Sequence, residues 1–392
     1  MTDYSKLISP HINALAPSGI RKFFDIAASM QDVISLGVGE PDFVTPWAIR
    51  EAGIYSLEKG HTHYSANSGL IELRQEICNY LGRKYNLSYD PKAQVLVTVG
   101  GSEAIDLLIR AIISSGDEVL IPEPCFVCYK PCTLMAGGTP VTIQTEEKDN
   151  FRLTPEKLLE KITDKTKLLV LPFPNNPTGA VMTRKDLEAI AKIVEEHDLF
   201  VLSDEIYGEL TYSGEHIPFA SIEGMYERTV TVNGFSKAFA MTGWRLGYAC
   251  GPAPIIKEMT KIHQYAIMCA PTTSQYAAIE AMRSCDDDVE YMRTEYDHRR
   301  RVMVNGFREM GLSCFEPLGA FYVFPNISAT GLSSDEFATK LLYEKKVAVV
   351  PGTAFGECGE GFIRCSYAYS IKNIEKALER IGEFVKEHIE GM

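Results

Sequence analysis

The apolar positions change rhythm along the chain, and the change divides it. Residues 1–19 carry Pro10 and Pro17 and read as an arm. Residues 20–30 repeat at helical spacing through Ile20, Phe23, Phe24 and Ala27, and 33–38 form a short strand broken at Gly37. The polar run from His61 leads into a helix starting near Gly69. From Gln94 the text alternates: short apolar runs at 95–99, 118–121, 167–171, 200–202 and 229–232 predict strands, with helices between them at 103–114 and 184–197. Runs that are apolar throughout, without a polar face, belong to a parallel sheet covered on both sides.

Past Gly251 the alternation stops. Helices are predicted at 254–270, 273–283 and 289–310, then short strands at 321–324, 347–350 and 362–366 with helices at 334–345 and 372–389. The pattern predicts an α/β protein with a mostly parallel sheet between helices and a smaller α+β domain. The expected division is 1–45 as arm and part of the small domain, 46–286 as the large domain and 287–392 as the small one.

Composition narrows the function. A chain of 392 residues with 45% hydrophobic and 23% charged content is long enough for a large core and two domains. Its net charge of −13 gives no electrostatic basis for binding nucleic acid or an anionic membrane. The start, Met-Thr-Asp-Tyr-Ser-Lys-Leu, lacks the apolar run of a signal peptide, and ten scattered cysteines without a framework are expected as reduced thiols, so the expected location is cytoplasmic. Cys125, Cys128 and Cys132 lack a fourth ligand at zinc-site spacing and are expected to be small packing residues around Phe126; the basic run Arg299, Arg300 and Arg301 is expected to be a solvated face.

Candidate chemistry sits after the predicted strands, the edge where open α/β sheets bind ligands. The window Asn-Gly-Phe-Ser-Lys-Ala-Phe-Ala-Met-Thr-Gly-Trp-Arg places Lys237 just beyond 229–232 among apolar neighbours. Burial disfavours an ammonium and so prepares an amine to attack a carbonyl, although a solvated lysine is the plain alternative. Arg245, eight residues on, offers a permanently charged fork for phosphate. The turn Gly100, Gly101 and Ser102 opens a helix, whose free amides favour an anion. Phe126 can stack on a flat ring or simply pack; Asn176, locked in Asn-Asn-Pro, is a side-chain donor. Asp204 can cap a helix or face a pyridine nitrogen, with Tyr207 three residues on. Tyr64 lies in a polar loop, Gly39 permits close approach of a ligand, and Arg364 interrupts an apolar strand and requires an anionic partner. Amine, phosphate holders and carboxylate together suggest pyridoxal phosphate.

The windows Gly-Val-Gly-Glu-Pro-Asp-Phe, Asn-Asn-Pro-Thr-Gly, Ser-Asp-Glu-Ile-Tyr, Ser-Lys-Ala-Phe-Ala-Met-Thr-Gly-Trp-Arg-Leu-Gly, Gly-Ala-Phe-Tyr and Ile-Arg-Cys-Ser-Tyr-Ala span nearly the whole chain. In order and spacing they resemble the class I/II aminotransferases of pyridoxal-phosphate fold type I. That resemblance implies a seven-stranded large-domain sheet and a homodimer with its site at the interface. It implies that Lys237 holds the cofactor as an imine and moves the substrate's α-proton, Asp204 pairs with the pyridine nitrogen, and Asn176 and Tyr207 bond the ring oxygen. Phe126 would stack on the ring; Gly101, Ser102, Ser236 and Arg245 would hold the phosphate, with Tyr64 reaching it from the partner; Arg364, with the Gly39 backbone, would bind the substrate carboxylate.

Many relatives have serine three residues before the lysine, where this chain has Gly234 and places Ser236 next to Lys237 instead. Aspartate-specific members carry lysine where Ser102 stands, and the stretch from Ile20 to Met30 is similar to aromatic-amino-acid aminotransferases. The implied substrate is therefore an aromatic amino acid, with aspartate or branched-chain transamination and a lyase reaction as alternatives. A regulator that binds the cofactor on the same scaffold is the non-enzyme alternative, disfavoured because no helix-turn-helix or basic extension accompanies the domain and the full acid-base set is retained, and a nicotinamide dehydrogenase would need a glycine fingerprint that is absent.

Overall fold

A computed structural model describes residues 4–13, 15 and 30–389, so the helix expected at 20–30 lies outside the described residues apart from its last position. At the centre is a seven-stranded sheet. Its strands are β2 (Val95–Thr98), β3 (Glu118–Glu123), β4 (Thr139–Gln144), β5 (Thr166–Leu171), β6 (Phe200–Asp204), β7 (Thr229–Gly234) and β8 (Gly247–Cys250), in spatial order β2-β8-β7-β6-β5-β3-β4. All neighbours are parallel except β8, which runs antiparallel to both β2 and β7. The four middle-sheet runs expected from sequence are buried almost throughout, because helices cover both faces.

On one face the helix Gly101–Ile112 packs with Ala253–Ala266 over Leu96, Val119, Leu168, Leu202 and Val230. On the other, Arg184–Glu196 lies over Leu120, Leu169 and Val201. That helix begins at a reciprocal cap: Thr183 Oγ1 accepts from the Asp186 amide while the Asp186 carboxylate accepts from the Thr183 amide. The helices Ile71–Tyr85 and Thr272–Ser284 close the β2–β8 end.

Two strands were not legible. β4 is an edge strand, so it tolerates Pro140 and shows no apolar run. β8 is short and begins with Gly247, where a Cβ would lie 2.6 Å from the Gly100 carbonyl carbon; the backbones of β8 and the Gly100 turn touch, which only glycine permits. The helix Trp47–Glu58 was also missed, because Trp47, Ile54, Tyr55 and Leu57 are exposed and blur its apolar stripe.

A second cluster gathers the smaller sheets. β9 (Tyr322–Val323) and β11 (Val350–Pro351) flank β12 (Ile363–Ser366) antiparallel, while β1 (Ile34–Ser35) pairs in parallel with β10 (Val347–Ala348). The long helices Asp286–Glu309 and Ile371–Ile389 pack against them through Met303, Phe307, Ile374, Ile381 and Phe384. The basic run is not a solvated face: Arg299 and Arg300 are buried and paired with Asp42 and with Asp297 and Glu316, and only Arg301 faces outward. The expected period missed this because the partners lie far away in sequence or on the same helix. No described helix is long and apolar enough to cross a membrane.

Candidate active site

Five strand ends point at one cavity. Its walls include Gly39, Gly101, Ser102, Phe126, Asn176, Asp204, Tyr207, Ser236, Lys237, Arg245 and Arg364, eleven of the twelve residues singled out from sequence. Such convergence follows from the parallel order, which brings the loops after β2, β3, β5, β6 and β7 to the same edge.

Lys237 follows β7, and its Nζ donates to the Gly39 carbonyl at 2.7 Å. Burial lowers its pKa to about 8; Glu40 pulls it back up, while Arg364 and Arg245 push it further down. The neutral amine is therefore far more populated near physiological pH than on a solvated lysine, though the ammonium still predominates. Asp204, the last residue of β6, is buried; burial raises its pKa to about 6, against hydrogen bonds from the Tyr129 hydroxyl (2.7 Å) and the Ile206 amide (3.2 Å) that favour its charge. It forms no ion pair with any described residue, so a cationic N–H entering the cavity would supply what its surroundings lack.

Arg364 stands on β12 and is buried. One Nη donates to Asn176 Oδ1 at 2.9 Å and the other to the Gly37 carbonyl at 2.5 Å, both neutral acceptors, and the guanidinium lies between the rings of Tyr322 and Phe355. With its oxygen so engaged, Asn176 keeps its amide hydrogens for another partner. The Tyr207 hydroxyl is 2.8 Å from that of Tyr322.

At the other end of the cavity the helix Gly101–Ile112 starts immediately after Gly100, whose φ is +79°. A Cβ on Gly100 would come within 2.7 Å of an Arg245 nitrogen, so the arginine lies directly against the turn. The first-turn amides and the guanidinium thus form a cationic cradle. Beneath it, Glu103 accepts from the Val99 amide and from buried His263, which fixes the turn from below.

Tyr64 is not part of this cavity. It is 80% exposed and lines a separate surface hollow with His61, Ile267 and Cys269. Conversely, Tyr129 and Tyr322 line the cavity without having been singled out. Tyr129 follows Phe126 by three residues at the start of the helix Tyr129–Met135, a spacing that could have flagged it; Tyr322 stands in the quoted Gly-Ala-Phe-Tyr window, where nothing local reveals a partner 115 positions away. Cys125 and Cys132 are buried and Cys128 half-buried, and no described group of histidine, cysteine or acidic residues could hold a metal.

The donor set fits pyridoxal phosphate: an amine of lowered pKa for an aldehyde, an unpaired buried carboxylate for a pyridinium, the half-buried ring of Phe126 and a cationic cradle for phosphate.

Comparison with known proteins agrees with this arrangement. The family described as aminotransferase class I and II matches residues 31–381. The aspartate aminotransferase of Pyrococcus abyssi is 48% identical over 383 residues, covering 97% of this chain and 98% of that protein. The aromatic-amino-acid aminotransferase 2 of Thermococcus litoralis is 46% identical, with the same two coverages. Among solved structures, the aromatic aminotransferase of Pyrococcus horikoshii OT3 superposes with a TM-score of 0.90 at 47% identity, covering 94% of this chain and 99% of that one. Enzymes of this kind are pyridoxal-phosphate-dependent, and this chain belongs to the class I and II aminotransferases, a fold-type-I α/β transaminase.

Proposed function

We propose that the chain binds pyridoxal phosphate and transfers the amino group of an L-amino acid, preferably aromatic, to a 2-oxo acid such as 2-oxoglutarate in a ping-pong reaction. The observation that carries the reading is a buried amine, its pKa lowered to about 8, in the same cavity as an unpaired carboxylate and two arginines.

Arg364 binds the substrate carboxylate as a bidentate pair and Gly39 lies beside it, which aims Cα at Lys237. The neutral amine of Lys237 takes the proton from Cα and returns it on the product side. Bound pyridoxal phosphate supplies the aldehyde that accepts the amino group and a protonated ring that draws off the electrons of the broken C–H bond. Asp204, held by Tyr129, keeps the ring nitrogen protonated; Tyr207 and Asn176 donate to the ring oxygen, and Phe126 covers the ring. Gly101, Ser102, Ser236 and Arg245 hold the phosphate. Tyr64 serves the site of a partner subunit, a role supported by its exposure on a surface hollow shared with His61, Ile267 and Cys269. The division of the chain at 45 and 286 makes β9, β11 and β12 part of the smaller domain, which brings Arg364 to the edge of the larger one.

Among the described residues the cavity's only cations are Lys237, Arg245 and Arg364, and each has a role above. None remains for a distal carboxylate, which favours an uncharged side chain. The name of the Pyrococcus abyssi relative favours aspartate instead. A panel of amino donors with 2-oxoglutarate decides: aromatic donors with the highest kcat/KM support the proposal, and aspartate ahead of them by tenfold overturns its substrate half. Parallel double-reciprocal lines test the ping-pong order.

A further inference from the structure

Tyr322 is fully buried on β9, between two residues that address different ligands. Its ring lies 4.4 Å from the Arg364 guanidinium carbon, and its hydroxyl is 2.8 Å from that of Tyr207. The same hydroxyl sits 2.7 Å from where a Cβ would project at Gly39, so the segment around Gly39 closes it in and leaves it little freedom to turn.

Two phenols at this distance share a single hydrogen, and either oxygen can be the donor. The choice has a consequence. If Tyr207 donates to Tyr322, its only hydrogen is spent and it can meet the cavity solely as an acceptor. If Tyr322 donates, the hydrogen of Tyr207 is free to point into the cavity. A phenol whose oxygen already accepts a hydrogen bond is also the stronger donor, because successive bonds polarise one another.

We propose that Tyr322 is a positioning residue that donates to Tyr207 and so turns the Tyr207 hydrogen toward the oxygen of the bound cofactor. The inference rests on the pyridoxal-phosphate reading above. The charged and titratable groups facing the pair are Arg364 from β12, Asp204 and the 204–207 loop after β6, and Lys237 after β7. Arg364 favours an electron-rich oxygen on either phenol and Asp204 opposes it at Tyr207.

The test is the pH titration of the bound cofactor's absorbance in the reconstituted holoenzyme. A donor to the ring oxygen stabilises its anionic form and keeps the neighbouring imine more acidic. Tyr322→Phe retains the ring over Arg364 and removes the donor, and should raise the titration midpoint by about half a pH unit, one ordinary hydrogen bond's worth. Tyr207→Phe should raise it further, and the double variant should match Tyr207→Phe alone, because Tyr322 acts only through Tyr207. Placing 3-fluorotyrosine at 322 preserves shape and folding and makes the phenol more acidic, so the midpoint should fall. A wild-type midpoint in Tyr322→Phe, additive shifts in the double variant, or a rise with fluorotyrosine overturns the inference. A wild-type protein that takes up no pyridoxal phosphate overturns the underlying reading instead.

Discussion

Arg299 and Arg364 are near twins in packing. Each is buried, each guanidinium lies between two aromatic rings (Phe43 and Tyr296 for the first, Tyr322 and Phe355 for the second), and each keeps a buried Nε–H without an acceptor. They differ in what meets their remaining hydrogens. Arg299 grips both oxygens of Asp42, at 2.7 and 2.9 Å, whereas Arg364 meets an amide oxygen and a backbone carbonyl. A buried cation whose carboxylate comes from its own chain holds the fold together. One surrounded by neutral oxygens costs stability and is suited to an anion from outside.

The sharpest contrast between the two kinds of site comes from Lys237, which shares the cavity with Arg364. Lys237→Ala should lower turnover by at least ~10⁴-fold while thermal unfolding stays within a few degrees of wild type. Comparable rates in that variant would remove the amine from the chemistry. Next, Arg364→Leu should reduce kcat/KM about 10²- to 10³-fold, as expected when one member of a buried charge pair with substrate is truncated, with unchanged or higher Tm. Arg299→Leu should do the reverse: it should cost about 2–4 kcal/mol of stability, because Asp42 loses its partner, and leave kcat/KM at low temperature within a few-fold. If both variants lose activity and stability alike, the distinction fails.

Asp204 offers a smaller effect with a definite sign. Its pKa is raised to about 6 from 3.8, so its charge destabilises the cofactor-free fold once the pH exceeds the unfolded value, fully so above about 6. Asp204→Asn should therefore stabilise cofactor-free protein by about 1–3 kcal/mol at pH 8, and the gain should vanish below about pH 4. Urea titrations at the two pH values measure it. The subtlest effect is the ionisation of Lys237 itself. In cofactor-free protein its labelling by an amine-selective reagent should be half-maximal near pH 8, well below surface lysines, and a midpoint near 10.5 would contradict its burial.

Much of this site was legible because its residues follow strands, and strands announce themselves as apolar runs. Lys237, Asp204 and Asn176 could each be placed at a strand end before any coordinates. What stayed hidden depends on distance in sequence. The Asp42–Arg299 pair joins positions 257 apart, so the basic run looked like solvated surface. The hydroxyl partners that place Tyr129 and Tyr322 in the site lie 75 and 115 positions away, so the neighbouring sequence does not reveal them. β4 and β8 lack the apolar signature for different reasons, one lying at the sheet's edge and the other being four residues long and opened by Gly247, whose backbone touches the Gly100 turn.

The reversed direction of β8 has a practical outcome. Because it returns immediately after β7, the short excursion between the two strands delivers both Lys237 and Arg245 to one edge, from opposite strand termini. The reactive amine and the anion-holding guanidinium are thereby tethered by seven intervening residues. Cutting or permuting the chain inside that tether would place the two groups on separate ends, and no other strand crossing in the sheet would have to change.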